Sequence, residues 1–587
     1  MSSARGTANF GPLQHQQDWD RLSSNDFDVL VVGGGITGAG VALDAATRGL
    51  RVALVEARDL ASGTSSRSSK LFHGGLRYLE MLDFGLVREA LHERDLMLTT
   101  LAPHLVKPVS FLYPLRHRIW ERPYVGAGLA LYDALAGRSP MPRHKHLSKG
   151  EALRSSPALR PDALTGALRY YDAATDDARH TLTVARTAAA NGALVRTSTE
   201  VRRLLLEEGR VVGAELGDVE HDRTCEVRAR VVVACTGVWS DGLHKMAGVP
   251  SPFTVRASKG VHLLVPRSRI DSHTGLILRT EKSVLFVIPW GEHWVVGTTD
   301  TPWDLTLDHP AASRADIDYI LGRVNAVLRT PLTDDDVVGV YAGLRPLLAP
   351  SKSAGAATTK LSREHQVACP APGLVSVAGG KYTTYRVMAK DTVDVVAAEF
   401  GGEMPECVTA AVPLLGAAGF AAATNRAASI AIRTGVPVET VRRMLGRYGD
   451  LHEEVLEPAL ERPELAEPVP GAPRHVMAEI LYAVTHEGAL HLDDLLARRT
   501  RISVDTSHRG TRSARAVAEL VAPVLGWSDD QIEAEVAAYE RRVAQELASQ
   551  RALDDEQAQA QRSLAPERRR LVGVQSEEES GPASVVK

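Results

Sequence analysis

The chain has 587 residues, more than a single hydrophobic core usually serves, so two or three domains are expected. Its hydrophobic residues, 44% of the total, are enough to fill their cores. Its formal net charge of -4, with 24% charged residues, excludes a global positive field that would attract nucleic acid. The four cysteines form no C-x-x-C pair and are too few for a disulfide scaffold, which favours a reducing, cytoplasmic location.

The first 25 residues read as a polar tail, without the basic start and apolar core of a secretory signal. The longest uncharged stretch, residues 408–425, is rich in alanine and interrupted by Pro413, Gly416 and Gly419. It falls short of the roughly 20 strongly apolar residues that span a bilayer. We therefore expect no transmembrane segment.

A predicted buried strand over residues 28–32 runs into a glycine-rich turn that opens a helical pattern. Gly33, Gly35 and Gly38 fit the G-x-G-x-x-G spacing, in which the glycines allow a tight turn, a close pyrophosphate and close helix–strand packing. The N–H groups at the start of the helix would face that pyrophosphate. Such a motif also marks ordinary strand–helix turns, so its context matters.

The context is a second apolar run, residues 52–55, which ends at Glu56, where a carboxylate would bind a ribose diol. Glu56 does not separate FAD from NAD. Residues 61–70 (ASGTSSRSSK) follow, and their hydroxyl and N–H groups could hold a pyrophosphate and the flavin edge. The alternative is a surface loop. Residues 61–70 come directly after the predicted ribose-binding strand, and this position favours cofactor binding.

Strands and helices alternate over the next three hundred or so residues. Residues 231–237 and 373–380 are predicted buried strands that end in glycine turns, and Cys235 is predicted to be a core residue. Residues 284–288 and 294–297 are typical of antiparallel strands in a second, interleaved region. The cofactor domain is thus expected to be discontinuous, within an oxidoreductase region over residues 26–400.

Amphipathic helices replace this pattern in residues 401–552, which are predicted to form a helical C-terminal domain. They include residues 438–448, 476–485 and 513–524. Residues 553–587 mix charge runs with few bulky side chains and are predicted to be disordered.

Six sequence blocks stand out along the chain: residues 68–80 (SSKLFHGGLRYLE), 287–290 (VIPW), 297–300 (GTTD), 344–347 (LRPL), 379–386 (GGKYTTYR) and 493–500 (DDLLARRT). Together they resemble the FAD-dependent glycerol-3-phosphate dehydrogenases, and the match extends over residues 26–550. The resemblance implies an α/β fold of the D-amino-acid oxidase or glutathione reductase type: a doubly wound FAD domain, an antiparallel substrate sheet and an all-α C-terminal domain. It also implies oxidation of sn-glycerol 3-phosphate to dihydroxyacetone phosphate, with FAD reoxidised by a membrane quinone.

The substrate is a small dianion with a secondary alcohol, so it needs a cationic clamp and a base. We expect His73 to be the base, Arg345 to orient the C2 oxygen, and Arg77, Arg363 and Lys381 to hold the phosphate. His73 could instead hydrogen-bond the flavin. Tyr78, Lys259 and His262 complete the expected substrate site. The expected FAD ligands are Gly33, Gly35, Ile36, Thr37, Gly38, Glu56, Thr64, Ser65, Ser66, Ser69, Lys70, Leu71, Thr236, Gly237, Gly379, Gly380, Thr383 and Thr384.

One departure from the family pattern is Tyr382, which stands where leucine is common and is expected to alter packing near the flavin. No metal site is expected. A glycerol-3-phosphate oxidase that uses O2 would share these residues. An amine or amino-acid oxidase would not need so many cations, and a non-catalytic flavin-binding protein is the remaining alternative.

A quinone partner implies peripheral association with the inner face of the cell membrane. Residues 116–124 (RHRIWERPY) join cations and interfacial aromatics ahead of the apolar residues 125–132, as interface-seeking segments do. A solvated loop followed by a core helix would give the same pattern. The sequence leaves the oligomeric state open, with a homodimer as one possibility.

Overall fold

The computed structural model describes residues 8–117, 119–280, 284–349, 364–401, 403–565 and 569. Its strands form two large sheets and a small hairpin. In chain order they are β1 (Phe27–Val32), β2 (Val52–Val55), β3 (Leu71–Phe72), β4 (Lys107–Leu115), β5 (Lys145–Ser148), β6 (Gly166–Ala174), β7 (Leu194–Arg196), β8 (Thr199–Glu207), β9 (Arg210–Asp218), β10 (Arg223–Ala234), β11 (Thr254–Pro266), β12 (Gly275–Arg279), β13 (Val284–Trp290), β14 (His293–Gly297), β15 (Thr301–Pro302), β16 (Gly339–Ala349), β17 (His365–Ala371), β18 (Leu374–Gly379), β19 (Pro468–Val469) and β20 (Ala472–Val476).

The helices surround these sheets and dominate the C-terminal region. In chain order they are α1 (Pro12–Ser24), α2 (Ile36–Thr47), α3 (Arg77–Glu80), α4 (Phe84–Leu96), α5 (Glu121–Ala136), α6 (Lys149–Ser155), α7 (Asp177–Ala190), α8 (Ser240–Met246), α9 (Arg314–Asn325), α10 (Tyr385–Phe400), α11 (Phe420–Asn425), α12 (Ala427–Thr434), α13 (Val438–Tyr448), α14 (His452–Glu461), α15 (Met477–Thr485), α16 (Ile502–Asp505), α17 (Thr511–Leu525), α18 (Asp529–Ser549) and α19 (Asp555–Ser563).

The first sheet has a parallel core in the order β18-β10-β1-β2-β7, with β17 antiparallel at one edge. Its strands are continuous apolar runs because both faces are covered. Val29 and Val31 pack with the helices α2, α7 and α10 on one face, and Leu30 and Val32 pack with β8 and β9 on the other. These strands come from widely separated stretches of the chain, so the sheet is discontinuous in sequence.

The second sheet follows the order β15-β11-β14-β13-β12-β4-β6-β3, and β16 also pairs with β11. Side chains alternate between the faces of β11. Val261 and Leu263 enter a core with α9, whereas Gly260 and His262 face the first sheet across a cleft. The second sheet therefore supplies one wall of that cleft.

The C-terminal helices form two further hydrophobic clusters and are tied to the first sheet by a buried ion cluster. Asp59, three residues beyond Glu56, accepts hydrogen bonds from Arg498 Nε at 2.5 Å and from Arg499 Nη1 at 2.8 Å. Both arginines lie on a π-helical segment, Asp494–Arg499. The sequence block at 493–500 thus anchors the helical region beside the glycine turn.

Two predicted tails are partly ordered, which corrects the sequence interpretation. Residues 12–24 form α1, and its Trp19 is buried beneath the guanidinium groups of Arg196 and Arg223. Helix α19 lies within the segment predicted to be disordered, and it buries Ala558 and Arg562. The polar composition of both segments did not predict these helices, because each helix buries only a few side chains.

The described helices include none that is both long and apolar enough to span a membrane.

Candidate active site

A cleft of about 480 Å³ lies at the carboxyl ends of β1, β2, β10 and β18 and is closed on one side by β11 and β16. In open α/β sheets, ligands bind in the crevice beyond the carboxyl ends of the strands. The turns that follow these four strands carry Gly33, Glu56, Thr236 and Gly380 into the cleft lining. The fold therefore gathers the strand-end motifs at one place.

The glycine turn after β1 has the geometry that its motif predicts. Gly33 has a φ of +113°, which favours glycine. A Cβ on Gly38 would lie 1.9 Å from the Gly33 carbonyl oxygen, whereas one on Gly35 would meet, among the residues that the structure describes, Ser65 Oγ alone, at 3.3 Å. The Ile36 N–H donates to that Ser65 hydroxyl at 3.0 Å. Gly38 thus serves helix–strand packing, and Gly35 leaves the backbone open to a ligand.

The Glu56 carboxylate is held rigidly at the end of β2. Its two oxygens accept hydrogen bonds from the N–H groups of Gly34, at 2.6 Å, and Arg58, at 2.9 Å. Burial raises the pKa of Glu56, although these two hydrogen bonds oppose the shift. The fixed carboxylate faces the cleft where a ribose would lie.

The pairing of β11 with β16 positions Arg345. In that register Gly260 lies opposite Gly343 and Ser258 lies opposite Arg345. The Arg345 guanidinium donates to Thr298 Oγ1 at 2.9 Å and to the Thr299 carbonyl at 3.2 Å. Its planar group is therefore oriented before any substrate arrives.

His262 lies near Arg345 and is neutral. Burial, together with the charges of Arg345 and Lys70, lowers its pKa well below 6.5. Its Nε2 lies 2.9 Å from Ser69 Oγ, and its ring stacks on Tyr341 with 4.9 Å between centroids. His262 can exchange hydrogen bonds in the cleft but supplies no charge.

The loops after β3 and β18 bring three further predicted residues together. The His73 N–H donates to Thr383 Oγ1 at 3.3 Å. Lys381 Nζ lies 3.5 Å from the centroid of the Tyr78 ring, within range of a cation–π interaction. His73, Tyr78 and Lys381 all line the cleft.

Most of the predicted site residues share this one cleft. Those that line it are Gly33, Gly35, Ile36, Thr37, Glu56, Thr64, Ser65, Ser69, Leu71, His73, Tyr78, Thr236, Gly237, His262, Arg345, Gly379, Gly380, Lys381 and Thr383. Arg363 and the side chain of Arg77 lie outside the described part of the structure.

Lys259 does not line the cleft, contrary to its predicted role in substrate binding. Its Nζ is buried and binds Asp316 Oδ2 at 2.6 Å, together with the carboxylate of Asp555. The physical reason is the alternation along β11, which places Lys259 on the face opposite His262.

Lys70, Ser66 and Thr384 also lie outside the cleft lining, as does Gly38. Lys70 Nζ points away from the cleft and binds Asp177 Oδ1 at 2.8 Å. The Ser/Thr-rich segment, residues 61–70, thus combines side chains that face the cleft, such as Ser65 and Ser69, with side chains that hold the segment in place.

Tyr382, the departure from the family pattern, packs against Phe72 and His180. Its hydroxyl donates to the Asp177 carbonyl at 2.7 Å and lies 3.0 Å from Thr181 Oγ1. A leucine could not make these hydrogen bonds. Tyr382 therefore links the loop after β18 to helix α7.

The structure adds Arg58, Arg67 and Trp239 to the cleft, none of which the sequence interpretation identified. The Arg58 guanidinium lies 5.5 Å from the Trp239 ring centroid. Arg58 follows Glu56 by two residues, and Trp239 follows the Thr236-Gly237 turn by two. Arg58 and Trp239 could have been predicted as cleft residues because they lie close to these two strand ends in the sequence.

The cleft fits a dinucleotide with a flavin. Gly35, Ile36 and Thr37 line it at the start of α2, and the N-terminus of a helix favours a pyrophosphate. Among the residues described, Thr236 Oγ1 is buried without a hydrogen-bond partner, so the cleft retains an unused donor for a ligand. Together, the doubly wound sheet, the glycine turn, Glu56 and the antiparallel second sheet define an FAD-dependent oxidoreductase.

Comparison with known proteins supports the assignment to the FAD-dependent oxidoreductases and identifies the family within that class. A family model described as FAD dependent oxidoreductase matches residues 28–386, and one described as the C-terminal domain of alpha-glycerophosphate oxidase matches residues 407–532. The chain belongs to the glycerol-3-phosphate dehydrogenase family, and FAD is its cofactor. The predicted fold class and cofactor are therefore confirmed.

The relatives cover nearly the whole chain. Glycerol-3-phosphate dehydrogenase 2 of Mycobacterium tuberculosis is 57% identical over 562 residues, covering 96% of each chain. The human mitochondrial glycerol-3-phosphate dehydrogenase is 36% identical, covering 88% of this chain and 73% of its own. The FAD complex of the Bacillus halodurans glycerol-3-phosphate dehydrogenase superposes with a TM-score of 0.76 at 32% identity, covering 91% of this chain and 98% of its own.

Proposed function

We propose that this enzyme oxidises sn-glycerol 3-phosphate to dihydroxyacetone phosphate and passes the electrons to a membrane quinone. The observation that carries the proposal is the meeting of His73, Arg345 and Lys381 with the glycine turn in one cleft. The names of the relatives, which are glycerol-3-phosphate dehydrogenases, support the substrate.

Each part of the substrate has a matching side chain in this proposal. When bound, FAD supplies the acceptor for the hydride that leaves C2. The His73 imidazole takes the proton of the C2 hydroxyl, so that the C2 carbon–oxygen bond becomes a carbonyl. Arg345, oriented by Thr298 and Thr299, donates to the C2 oxygen.

The phosphate end requires positive charge, and His262 is neutral. The proposal therefore assigns the phosphate to Lys381, with Arg77 and Arg363 as further ligands predicted from the sequence. Lys381 rests on the Tyr78 ring, which positions the ammonium group at the cleft wall. A lysine ammonium can serve there as a point charge, whereas arginine can bind phosphate through two hydrogen bonds.

The electron acceptor is tested by measuring turnover with a quinone analogue and with air while hydrogen peroxide is quantified. We expect quinone reduction to be the faster reaction and peroxide to account for a small fraction of the substrate consumed. Peroxide formed in equal amount to the substrate consumed would identify an oxidase instead.

A quinone acceptor requires contact with the bilayer, and we propose a surface at the start of α5. Ile119, Trp120 and Tyr124 are 87%, 51% and 53% exposed there. The neighbouring helix α4 begins at Phe84, which is 40% exposed and follows the exposed Leu82. Exposed aromatic and aliphatic side chains of this kind insert into the membrane interface. The other side of α5 is buried, at Val125 and Leu129 among others.

This surface is tested by sedimentation with liposomes of anionic lipid. Ile119→Glu is expected to weaken binding at least several-fold. Ile432→Glu on α12 is the matched control, because Ile432 is also 87% exposed. Equal binding of the two variants and the unmodified protein would favour the alternative interpretation, a solvated loop ahead of a core helix.

A further inference from the structure

A second cavity, of about 100 Å³, lies between the Ser/Thr-rich segment, strand β16 and the helical C-terminal region. Among the described residues, its lining is rich in basic side chains and includes two carboxylates. The basic residues are Arg67, Lys70, Arg498, Arg501, Arg509, Arg542 and Arg562, and the acidic residues are Asp493 and Glu546.

Several of these cations are neutralised by carboxylates. Lys70 and Arg501 share Asp177, with Arg501 Nη2 2.5 Å from Asp177 Oδ1. Arg542 binds both Asp493, at 2.9 Å, and Glu546, at 2.5 Å. The acidic groups of the cavity are therefore already engaged.

Within the described ranges, neither Arg509 nor Arg67 has a carboxylate oxygen within ion-pair distance, although Glu546 attracts both. Arg509 is only 5% exposed, and the one hydrogen bond of its side chain to the described residues joins Nη2 to Gln550 Oε1 at 3.4 Å. The Arg67 side chain makes no hydrogen bond or ion pair within the ranges that the structure describes. Burial and the charges of Arg562 and Arg498 lower the pKa of Arg67 to about 10, and the more weakly acting Asp493 and Glu546 do not offset this shift. Burial also lowers the pKa of Arg509.

We propose that this cavity is a second anion site, distinct from the active-site cleft, that binds a phosphate-sized tetrahedral anion. A buried cation without a counter-charge is costly, so an anion that enters here gains both charge neutralisation and hydrogen bonds. The cavity is several times larger than the roughly 15 Å³ that one water needs. Guanidinium groups bind tetrahedral oxyanions through paired hydrogen bonds.

Arg67 connects the site to catalysis, because it lines both the cavity and the active-site cleft. An anion in the cavity is expected to hold the Arg67 side chain there. The positive potential in the cleft then falls, so the apparent KM for a phosphorylated substrate rises with little change in kcat.

The test is calorimetric titration of inorganic phosphate into the flavin-loaded full-length protein at constant ionic strength. Arg509→Gln is expected to bind one phosphate fewer per chain than the unmodified protein. Phosphate that enters the cleft is counted in both proteins, so the difference reports the cavity alone. Arg515→Gln is the matched control, since Arg515 is exposed on the same helical region and is expected to keep the full number.

Flavin content and melting temperature establish that each variant is folded. If Arg509→Gln loses its flavin, Arg562→Gln on α19 replaces it as the test variant, and its phosphate-dependent rise in melting temperature is expected to be smaller than that of Arg515→Gln, because only binding in the cleft remains. The proposal is overturned if the folded variants bind as many phosphates as the unmodified protein. An equal rise in melting temperature with chloride would also overturn it. Neither phosphate binding nor the melting temperature depends on flavin reduction, so failure of this proposal can be distinguished from failure of the proposed function.

Discussion

Individual side chains in the cleft are fixed by contacts that precede substrate binding. Arg345 is held by Thr298 and Thr299, Glu56 by two backbone N–H groups, and His262 is kept neutral by burial and nearby cations. Such preorganised groups stabilise charge in a transition state without reorganising at the moment of reaction. The roles proposed for His73 and Arg345 therefore lead to different kinetic signatures when each residue is changed.

Replacing His73 by alanine removes the proposed base while leaving the phosphate ligands in place. We expect His73→Ala to lower the rate of flavin reduction by roughly 10²–10⁴-fold with a much smaller effect on substrate affinity. Rapid-mixing measurements of flavin absorbance at varied substrate concentration separate the two quantities. A large loss of affinity with a near-normal limiting rate would make His73 a binding residue or a flavin ligand.

Arg345→Lys keeps the positive charge but loses the planar guanidinium group that donates hydrogen bonds to Thr298 and Thr299. We expect kcat/KM to fall roughly tenfold or more, because a lysine cannot donate in two fixed directions. Arg515→Lys, an exposed change of the same chemistry, is expected to leave kcat/KM unaltered. Near-normal kinetics for Arg345→Lys would remove Arg345 from the reaction.

At the scale of elements, the β1–α2 unit and the β11–β16 pair position the two halves of the cleft. The first unit was predictable from the spacing of Gly33, Gly35 and Gly38, since local geometry dictates those glycines. The second was only partly predictable, because Lys259 and His262 lie three residues apart on opposite faces of β11. The face that meets the cleft depends on partner strands far away in the sequence.

Gly38→Ala tests the β1–α2 packing. The added Cβ would lie 1.9 Å from the Gly33 carbonyl oxygen, so we expect a loss of about 3 kcal/mol in unfolding free energy and a lower flavin content. Flavin absorbance per chain and thermal unfolding report both effects. Gly322→Ala on α9 is the control: no atom of the described residues lies within 4 Å of its added Cβ, so its free energy of unfolding should rise by about 0.5–1 kcal/mol. If the two variants behaved alike, the packing role of Gly38 would be wrong.

At the scale of the whole molecule, the helical region is joined to the first sheet by buried charge. Arg498 and Arg499 meet Asp59, and His491 lies between Glu220 of the sheet region and Glu535 of α18. The sequence predicted the helices of this region from their periodicity. It did not predict the ion pairs with Asp59 and Glu220, because these partners lie hundreds of residues away in the sequence. It also did not predict helix α19, which packs on α18 and binds Lys259 through Asp555.

His491 makes this junction sensitive to pH. Burial and Arg569 lower its pKa, but hydrogen bonds with Glu220 and Glu535 outweigh them and raise it from 6.5 to about 9. The stabilisation is thus complete below pH 6.5 and is lost as the pH rises through 9, on the order of 3 kcal/mol. We expect the melting temperature to fall between pH 6.5 and 9 more steeply in the unmodified protein than in His491→Gln. His221→Gln, at an exposed histidine, should keep the unmodified slope, and equal slopes in all three proteins would contradict this role for His491.

The central claim, oxidation of sn-glycerol 3-phosphate by the bound flavin, is tested most directly without oxygen. The purified, flavin-loaded protein is mixed with sn-glycerol 3-phosphate while the oxidised flavin band is followed, and glycerol serves as the control without a phosphate. We expect rapid bleaching by the phosphorylated substrate alone, followed by faster reoxidation with a quinone analogue than with air. An oxidised band that persists in the presence of sn-glycerol 3-phosphate would contradict the proposed substrate, although the cofactor assignment would stand.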